Sequence, residues 1–264
     1  MIPKIIHFVW VGNSPKSKLI LDCMASWKKY CPDYKIIEWD NDSVKKINNK
    51  YLNQAFQCKK WAFVSDYLRL YALEKFGGFY FDSDLEITQN IDNFRKNKFI
   101  TGYEFYDNIV LPFTAFVGAE QHSVIVQELL SEYDNIDFIK ADGTLDLTTN
   151  TIRVSNLFGK KYGVVKPYDG TKKTKLGTDG VIEPWWFFCT PRANADNYAI
   201  HHFNGSWVSG YSRKQKAKIG KYTLVRFRKI FKTNNIPLNY NEKMIFRIKT
   251  GKKSFYAIIK RTGK

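Results

Sequence analysis

Apolar positions along the first third of the chain alternate between two rhythms. Ile5-Ile6-His7-Phe8-Val9, flanked by Pro3-Lys4 and Trp10-Val11-Gly12, is a short, nearly continuous run of β-branched and aromatic residues that ends at Gly12-Asn13-Ser14-Pro15, the pattern of a buried strand. Leu19, Ile20, Cys23, Met24 and Trp27 then fall at helical spacing before Pro32, and Tyr34 to Trp39 reads as a second strand. From about 59 to 76, apolar residues at 61, 64, 68, 71, 72 and 76 predict another helix, with Gly77-Gly78 where a C-cap belongs. Phe79 to Ile87 reads as a central strand that leaves the core carrying Asp82 and Asp84. Further on the pattern is mixed: a strand at 114–117, a helix at 123–133, and turns at Asp142-Gly143 and Asp169-Gly170. This β-α-β alternation predicts an α/β fold, a mostly parallel sheet covered by helices with its ligand site at the carboxyl ends of the strands.

Charge divides the chain where hydrophobicity does not. The net charge of +17 suggests a nucleic-acid binder, but residues 213–264 carry 17 Lys/Arg against one acid, Glu242, while residues 1–212 hold 25 basic and 24 acidic residues. We therefore expect an α/β domain over 1–212 and a basic segment over 213–264. With 264 residues, 44% of them hydrophobic and 16% aromatic, the chain can bury a large core and is unlike a disordered chain. The four cysteines form no C-x-x-C pair and no secretory leader precedes them, which predicts reduced thiols in a cytoplasmic protein. The longest mostly apolar stretch, 109–119, is about half a bilayer span and contains Pro112 and Gly118.

Asp82 and Asp84, two apart on a strand, would point to the same side. Such a pair suits a divalent cation with oxygen ligands, Mg²⁺ or Mn²⁺, completed by a nucleotide diphosphate. Alone the motif is weak, because a chain with 16 Asp meets D-x-D by chance and Asp40-Asn41-Asp42 is a second copy. That second copy reads as turn and N-cap chemistry. The first copy has company: Ser65-Asp66-x-x-Arg69 on a helix, Gly77-Gly78, then Tyr80-x-Asp82-x-Asp84. Asp66 and Arg69 share a helix face, where a plain surface ion pair would also place them.

Taken together, this run resembles the signature of the DXD-containing sugar transferases of glycosyltransferase family 32, a signature also found in the glucosylating domain of the large clostridial toxins. The resemblance extends through Ile2 to Gly12 and through Ser26-Trp27-x-x-Tyr30-x-Pro32-Asp33-Tyr34 with Glu38-Trp39, so it covers residues 1–120 well. Beyond them it thins to Gly118-Ala119-Glu120 and His201-His202-Phe203-Asn204-Gly205-Ser206-Trp207. It implies a GT-A nucleotide-diphospho-sugar transferase fold and a retaining hexosyltransferase of capsule, exopolysaccharide or lipopolysaccharide synthesis. UDP-hexose is the preferred donor and a lipid-linked glycan or polysaccharide the acceptor. By the same resemblance Val9 and Trp10 hold the base, although Trp10 also reads as a core residue. Ser65, Asp66, Arg69 and Tyr80 surround the sugar, with Asp66, Arg69, Asp82 and Asp84 the catalytic set. Asp82 touches ribose or a metal-bound water, Asp84 binds the metal, and Ser206 and Trp207 touch the diphosphate. His202 is the nominated further metal ligand, with His201 the weaker candidate and a packed structural histidine the alternative. Retaining chemistry needs no dedicated base, and nothing in the sequence places Asp179 or Glu183 in the site.

The basic segment interleaves charge and bulk. Leu224, Phe227, Ile230 and Phe231 fall at helical spacing among Lys and Arg, as in a basic amphipathic helix on an anionic membrane, here the cytoplasmic face. A solvated basic face and nucleic-acid binding are the alternatives. Two other functions stay open: a nucleic-acid-binding protein acting through the tail, and a toxin-like transferase acting on a host protein, against which the short chain argues.

Overall fold

A computed structural model describes residues 1–106, 109–112, 115–203, 211–229, 242–251 and 254–261. The chain divides into two compact units, Met1–His201 and His202–Lys264; the charge pattern put this boundary at 212. The first unit begins with β1 (Ile5–Val9), α1 (Lys18–Tyr30), β2 (Lys35–Trp39), α2 (Asn41–Lys45), α3 (Lys50–Gln57), α4 (Trp61–Phe76), β3 (Gly78–Phe81) and β4 (Leu85–Ile87). It continues with β5 (Phe99–Gly102), β6 (Glu104–Tyr106), β7 (Ile109–Leu111), β8 (Phe116–Ala119), α5 (Val124–Ser131) and α6 (Asn150–Tyr162). β9 (Thr174–Leu176), β10 (Gly180–Glu183), α7 (Trp185–Phe188) and β11 (Ala199–His201) complete it.

Seven of these strands form a mixed sheet in the order β2-β1-β3-β8-β5-β10-β9. β1 is parallel to both β2 and β3, whereas β8 runs antiparallel to its neighbours β3 and β5. The α/β class expected from the alternating pattern is the one observed, and a central mixed sheet flanked by helices is the arrangement of a GT-A fold. Thr114, the start of the strand read at 114–117, lies outside the described residues; the strand itself is Phe116–Ala119.

Strand alternation sorts the core into two layers. Ile6, Phe8, Phe79, Phe81, Ile100 and Phe116 pack with Leu19, Cys23 and Trp27 of α1. Val9, Tyr80, Phe99 and Val117 pack on the opposite side with α3, α4, α5 and α6. Because successive strand side chains alternate faces, Tyr80 points toward α4 while its neighbours Phe79 and Phe81 point toward α1. α4 is buried nearly all round, through Val64, Tyr67, Leu68, Leu70, Ala72 and Leu73, rather than along one stripe as its spacing implied.

The α4–β3 join explains Gly77-Gly78. Gly77 has φ +60° and Gly78 φ +106°, and a Cβ on Gly78 would lie 2.7 Å from the Ile5 carbonyl oxygen, so the turn requires glycine at both. The Gly77 carbonyl accepts a hydrogen bond from Nε2 of the fully buried His7 at 2.9 Å. Trp39 Nε1 donates to His7 Nδ1 at 3.2 Å. Both ring nitrogens are thus satisfied by the neutral imidazole alone, and burial pushes its pKa down to about 4. Asp40 caps α2 in a reciprocal capping box with Ser43, so the second D-x-D is N-cap chemistry, as read.

The second unit contains β12 (Tyr211–Ile219), β13 (Tyr222–Lys229), β14 (Glu242–Gly251) and β15 (Ser254–Arg261), an antiparallel sheet in the order β12-β13-β15-β14. The amphipathic helix expected here is corrected to strand. Thr223, Val225 and Phe227 are buried while Tyr222, Leu224 and Arg226 are exposed, a period of two in which Leu224 and Phe227 take opposite faces. Ile230 and Phe231 lie outside the described residues. No helix among the described residues is long and apolar enough to cross a membrane.

Candidate active site

The acidic pair sits at the carboxyl end of the central strand, but not on it. β3 ends at Phe81, and Asp82-Ser83-Asp84-Leu85 is a tight turn closed by the Leu85 N–H donating to the Asp82 carbonyl at 2.9 Å. The single strand read over Phe79 to Ile87 is therefore two short strands with a turn between them. It is the turn, not strand alternation, that brings the two carboxylates together. α1 fixes the exit from this turn: Trp27 Nε1 donates to the Leu85 carbonyl at 2.7 Å, and the Ile87 N–H donates to Ser26 Oγ at 2.9 Å. Here Ser26-Trp27 has its structural purpose.

Asp66 and Arg69, on α4, face the turn. Arg69 Nη2 lies 3.2 Å from Asp66 Oδ1 and 3.2 Å from Asp82 Oδ1, and its guanidinium stacks 4.6 Å above the Tyr80 ring. Tyr80 donates its hydroxyl hydrogen to Asp82 Oδ1 at 2.9 Å, so Ser65 Oγ, 2.8 Å away, donates to Tyr80. The surface ion pair that a D-x-x-R on a helix ordinarily forms is excluded, because Asp66 and Arg69 are 9% and 8% exposed. Burial raises the Asp66 carboxyl to about 6 even though Arg69 and the Asn150 N–H favour its charge. Burial opposes the Arg69 charge too, but Asp82, Tyr80 and Asp66 outweigh it and hold the guanidinium protonated.

β11 pairs antiparallel with β4, setting His201 opposite Leu85 and hence beside Asp84. His201 Nε2 is 3.5 Å from Asp84 Oδ1. Among the described residues, Asp82, Asp84 and His201 form the group able to hold a metal ion, each offering a ligand atom within 4.8 Å of the others. Of the two histidine candidates, it is His201, the weaker of them, that stands in this group. His201 is the last residue of β11 and its register with β4 carries the imidazole to the acidic turn, whereas His202 opens the second unit. Two carboxylates and an imidazole suit a first-row divalent ion such as Mn²⁺. Burial works against a charged His201, yet Asp84 beside it raises its pKa well above the ordinary value.

Two residues that the sequence did not single out join this site. Glu104 Oε2 on β6 lies 3.9 Å from His201 Nδ1, and burial raises the Glu104 carboxyl. Asn150, the first residue of α6, donates its backbone N–H to Asp66 Oδ2 at 3.1 Å. The residue is 3% exposed, and neither its side-chain amide nitrogen nor its side-chain oxygen has a partner among the described residues. A buried amide in that state costs stability unless something else pairs with it. No local motif marks either residue; only α6 folding back onto α4, 84 positions apart, reveals Asn150.

Val9 is the buried last residue of β1, and the Trp10 N–H donates to the Trp39 carbonyl at 2.9 Å. Trp10 is half-buried, not a closed core residue; its Nε1 donates to the Ser14 carbonyl and Lys16 Nζ lies 5.5 Å from its ring. Ser206 and Trp207 lie outside the described residues. Asp179 and Glu183 are engaged elsewhere, with Tyr162 and Lys173 respectively.

Residues 17–101, the stretch from the start of α1 to β5 that holds Asp66, Arg69, Asp82 and Asp84, match the family described as glycosyltransferase sugar-binding region containing DXD motif. Among solved structures the chain is similar to one titled PaToxG Glycosyltransferase, at 21% identity and a TM-score of 0.46, over 62% of this chain and 71% of that one. No curated protein sequence gives a match. Residues 17–101 of this chain thus correspond to a glycosyltransferase sugar-binding region with its DXD motif.

Proposed function

We propose that this glycosyltransferase is a metal-dependent retaining hexosyltransferase of the family 32 kind, taking its sugar from a UDP-hexose. Its acceptor is a lipid-linked glycan or polysaccharide, of the capsule, exopolysaccharide or lipopolysaccharide type, at the cytoplasmic face of a membrane. The observation that carries the reading is that Asp82 belongs to two groups at once. It is tied through Arg69 to the buried Asp66, and it stands with Asp84 and His201 in the set able to hold a cation. A sugar site and a diphosphate site joined by one carboxylate fit a nucleotide sugar, whose hexose and diphosphate are neighbours.

In this reading Asp66 accepts a hydrogen bond from a donor-sugar hydroxyl, and Arg69, already locked by two carboxylates, donates to another with little further loss of freedom. Asn150 supplies its unpaired amide to the same hexose. Tyr80 and Ser65 fix the Asp82 carboxylate, and Asp82, Asp84 and His201 hold the cation. When bound, that divalent ion stabilises the negative charge that gathers on the departing diphosphate. The C1–O bond to UDP breaks and the acceptor oxygen bonds to C1 on the same face, its proton passing to the leaving phosphate. Trp10 offers a ring face to uracil, and Ser206 and Trp207 are assigned to the diphosphate.

Isothermal titration of UDP in the presence of Mn²⁺, repeated with EDTA and with the Asp82→Asn/Asp84→Asn variant, tests this. Micromolar binding that vanishes in both controls is expected. If neither UDP nor GDP binds with the metal present, the reading fails.

A further inference from the structure

The sheet of the second unit has two faces of unequal character. Register places Thr223, Val225 and Phe227 of β13 on one face with Phe255, Ala257 and Ile259 of β15, and all six are buried. An antiparallel sheet buried on one side ordinarily turns polar residues outward on the other. Here the outward face carries a cross-strand row of Leu224, Ile258 and Phe246, which are 37%, 38% and 56% exposed. Ile248 on the same face is 55% exposed. Arg226, Lys243 and Lys260 share this face at either end of the apolar row. Lysine on an edge strand is an ordinary guard against sheet-to-sheet pairing; a row of leucine, isoleucine and phenylalanine in water is not.

We propose that this face docks onto an anionic lipid bilayer, with Leu224, Phe246, Ile248 and Ile258 entering the boundary between headgroups and acyl chains. Arg226, Lys243 and Lys260 then contact the lipid phosphates. Charge complementarity selects the occupant, since residues 202–264 hold 17 basic residues and one acid, and a bilayer alone offers an anionic layer directly above an apolar one. Single-stranded nucleic acid would use the charge and could stack on Tyr222, Tyr256 and Phe246, which share this face. Leu224, Ile258 and Ile248 between them, however, offer no π face to a base, whereas tyrosine rings beside aliphatic side chains suit the headgroup boundary of a bilayer. A second copy of the chain would bring like charges together across the contact. The proposal stands on this unit alone and does not rest on the donor or acceptor of the transferase.

Co-sedimentation of the full chain with phosphatidylcholine vesicles, with and without phosphatidylglycerol, tests it. Binding only to the phosphatidylglycerol vesicles is expected. Arg226→Glu/Lys243→Glu/Lys260→Glu should lower partitioning roughly 100-fold, and Leu224→Ser/Phe246→Ser/Ile258→Ser by about tenfold or more, each with an unchanged melting curve. Should either triple variant fail to fold, the milder Phe246→Trp variant reads the same contact: its added fluorescence is quenched by brominated phosphatidylglycerol only if position 246 enters the bilayer. Absence of binding to anionic vesicles overturns the proposal. So does binding that the serine variant leaves intact, preference for single-stranded RNA over vesicles, or a dimer that the serine variant dissociates.

Discussion

The two units carry their awkward groups in opposite places. In Met1–His201 the charges are inside: Asp66 and Arg69 are buried, and every charge that Arg69 meets is matched by geometry near 3 Å. In His202–Lys264 the apolar side chains are outside, on a sheet whose other face already has its own core of Val225, Phe227, Phe255, Ala257 and Ile259. Burying charge and exposing isoleucine both oppose folding on their own. Each therefore marks a surface shaped for something other than stability: a polar solute in the first unit, an apolar phase in the second.

The largest effect should come from the acidic turn. Asp84→Ala removes a proposed cation ligand and should lower sugar transfer on the order of 1000-fold, since a Lewis acid contributes several kcal/mol at the transition state; circular dichroism should show the fold intact, and unchanged turnover would refute the metal assignment. Arg69→Ala leaves Asp66 and Asp82 without their shared counter-charge and should cost about 3–5 kcal/mol in chemical denaturation. A change under about 1 kcal/mol would mean the charges of the first unit are not functionally buried.

The pH dependence of stability follows from His7. Its folded pKa of about 4 lies below the unfolded value of 6.5, so its contribution is fully present above pH 6.5 and is lost as pH falls toward 4. That loss is about 3 kcal/mol. Asp66, raised to about 6 from 3.8, has the opposite slope, contributing most below pH 3.8 and least above 6. Thermal melts of His7→Gln should accordingly be flatter than wild type between pH 4 and 6.5.

Asn150→Ala separates function from stability: donor affinity should fall about tenfold while stability stays level or rises by about 1 kcal/mol, because a buried unpaired amide is removed. Titration and denaturation on one preparation check both. The smallest effect belongs to the second unit. Phe246→Ser should shift stability by no more than about 0.5 kcal/mol, and a larger loss in a urea melt would mean that the outward face is covered in solution.

Much of the first unit was legible because its signals are local. The β1-α1-β2 order, the α4 helix, the glycine pair after it and the cap at Asp40 each lie within one short window of sequence, where periodicity and backbone restriction act directly. The candidate site was legible as residue types, Asp66, Arg69, Tyr80, Asp82 and Asp84, yet not as geometry. A D-x-D on a strand and a D-x-D in a turn have the same letters, and only the Leu85-to-Asp82 hydrogen bond distinguishes them. The tail misled because basic residues interleaved with Leu224 and Phe227 satisfy helical and strand spacing over so few positions.

By itself, then, the sequence determined the α/β alternation, the acidic and basic side chains of the site and the concentration of charge after residue 212, because each depends on neighbours a few positions apart. Tertiary structure alone decided that His201 meets Asp84, that Asn150 and Glu104 join residues far from them in sequence, and that Leu224, Phe246 and Ile258 form one outward row. Those outcomes depend on strand register and on long-range packing, where a shift of one residue turns a side chain to the opposite face.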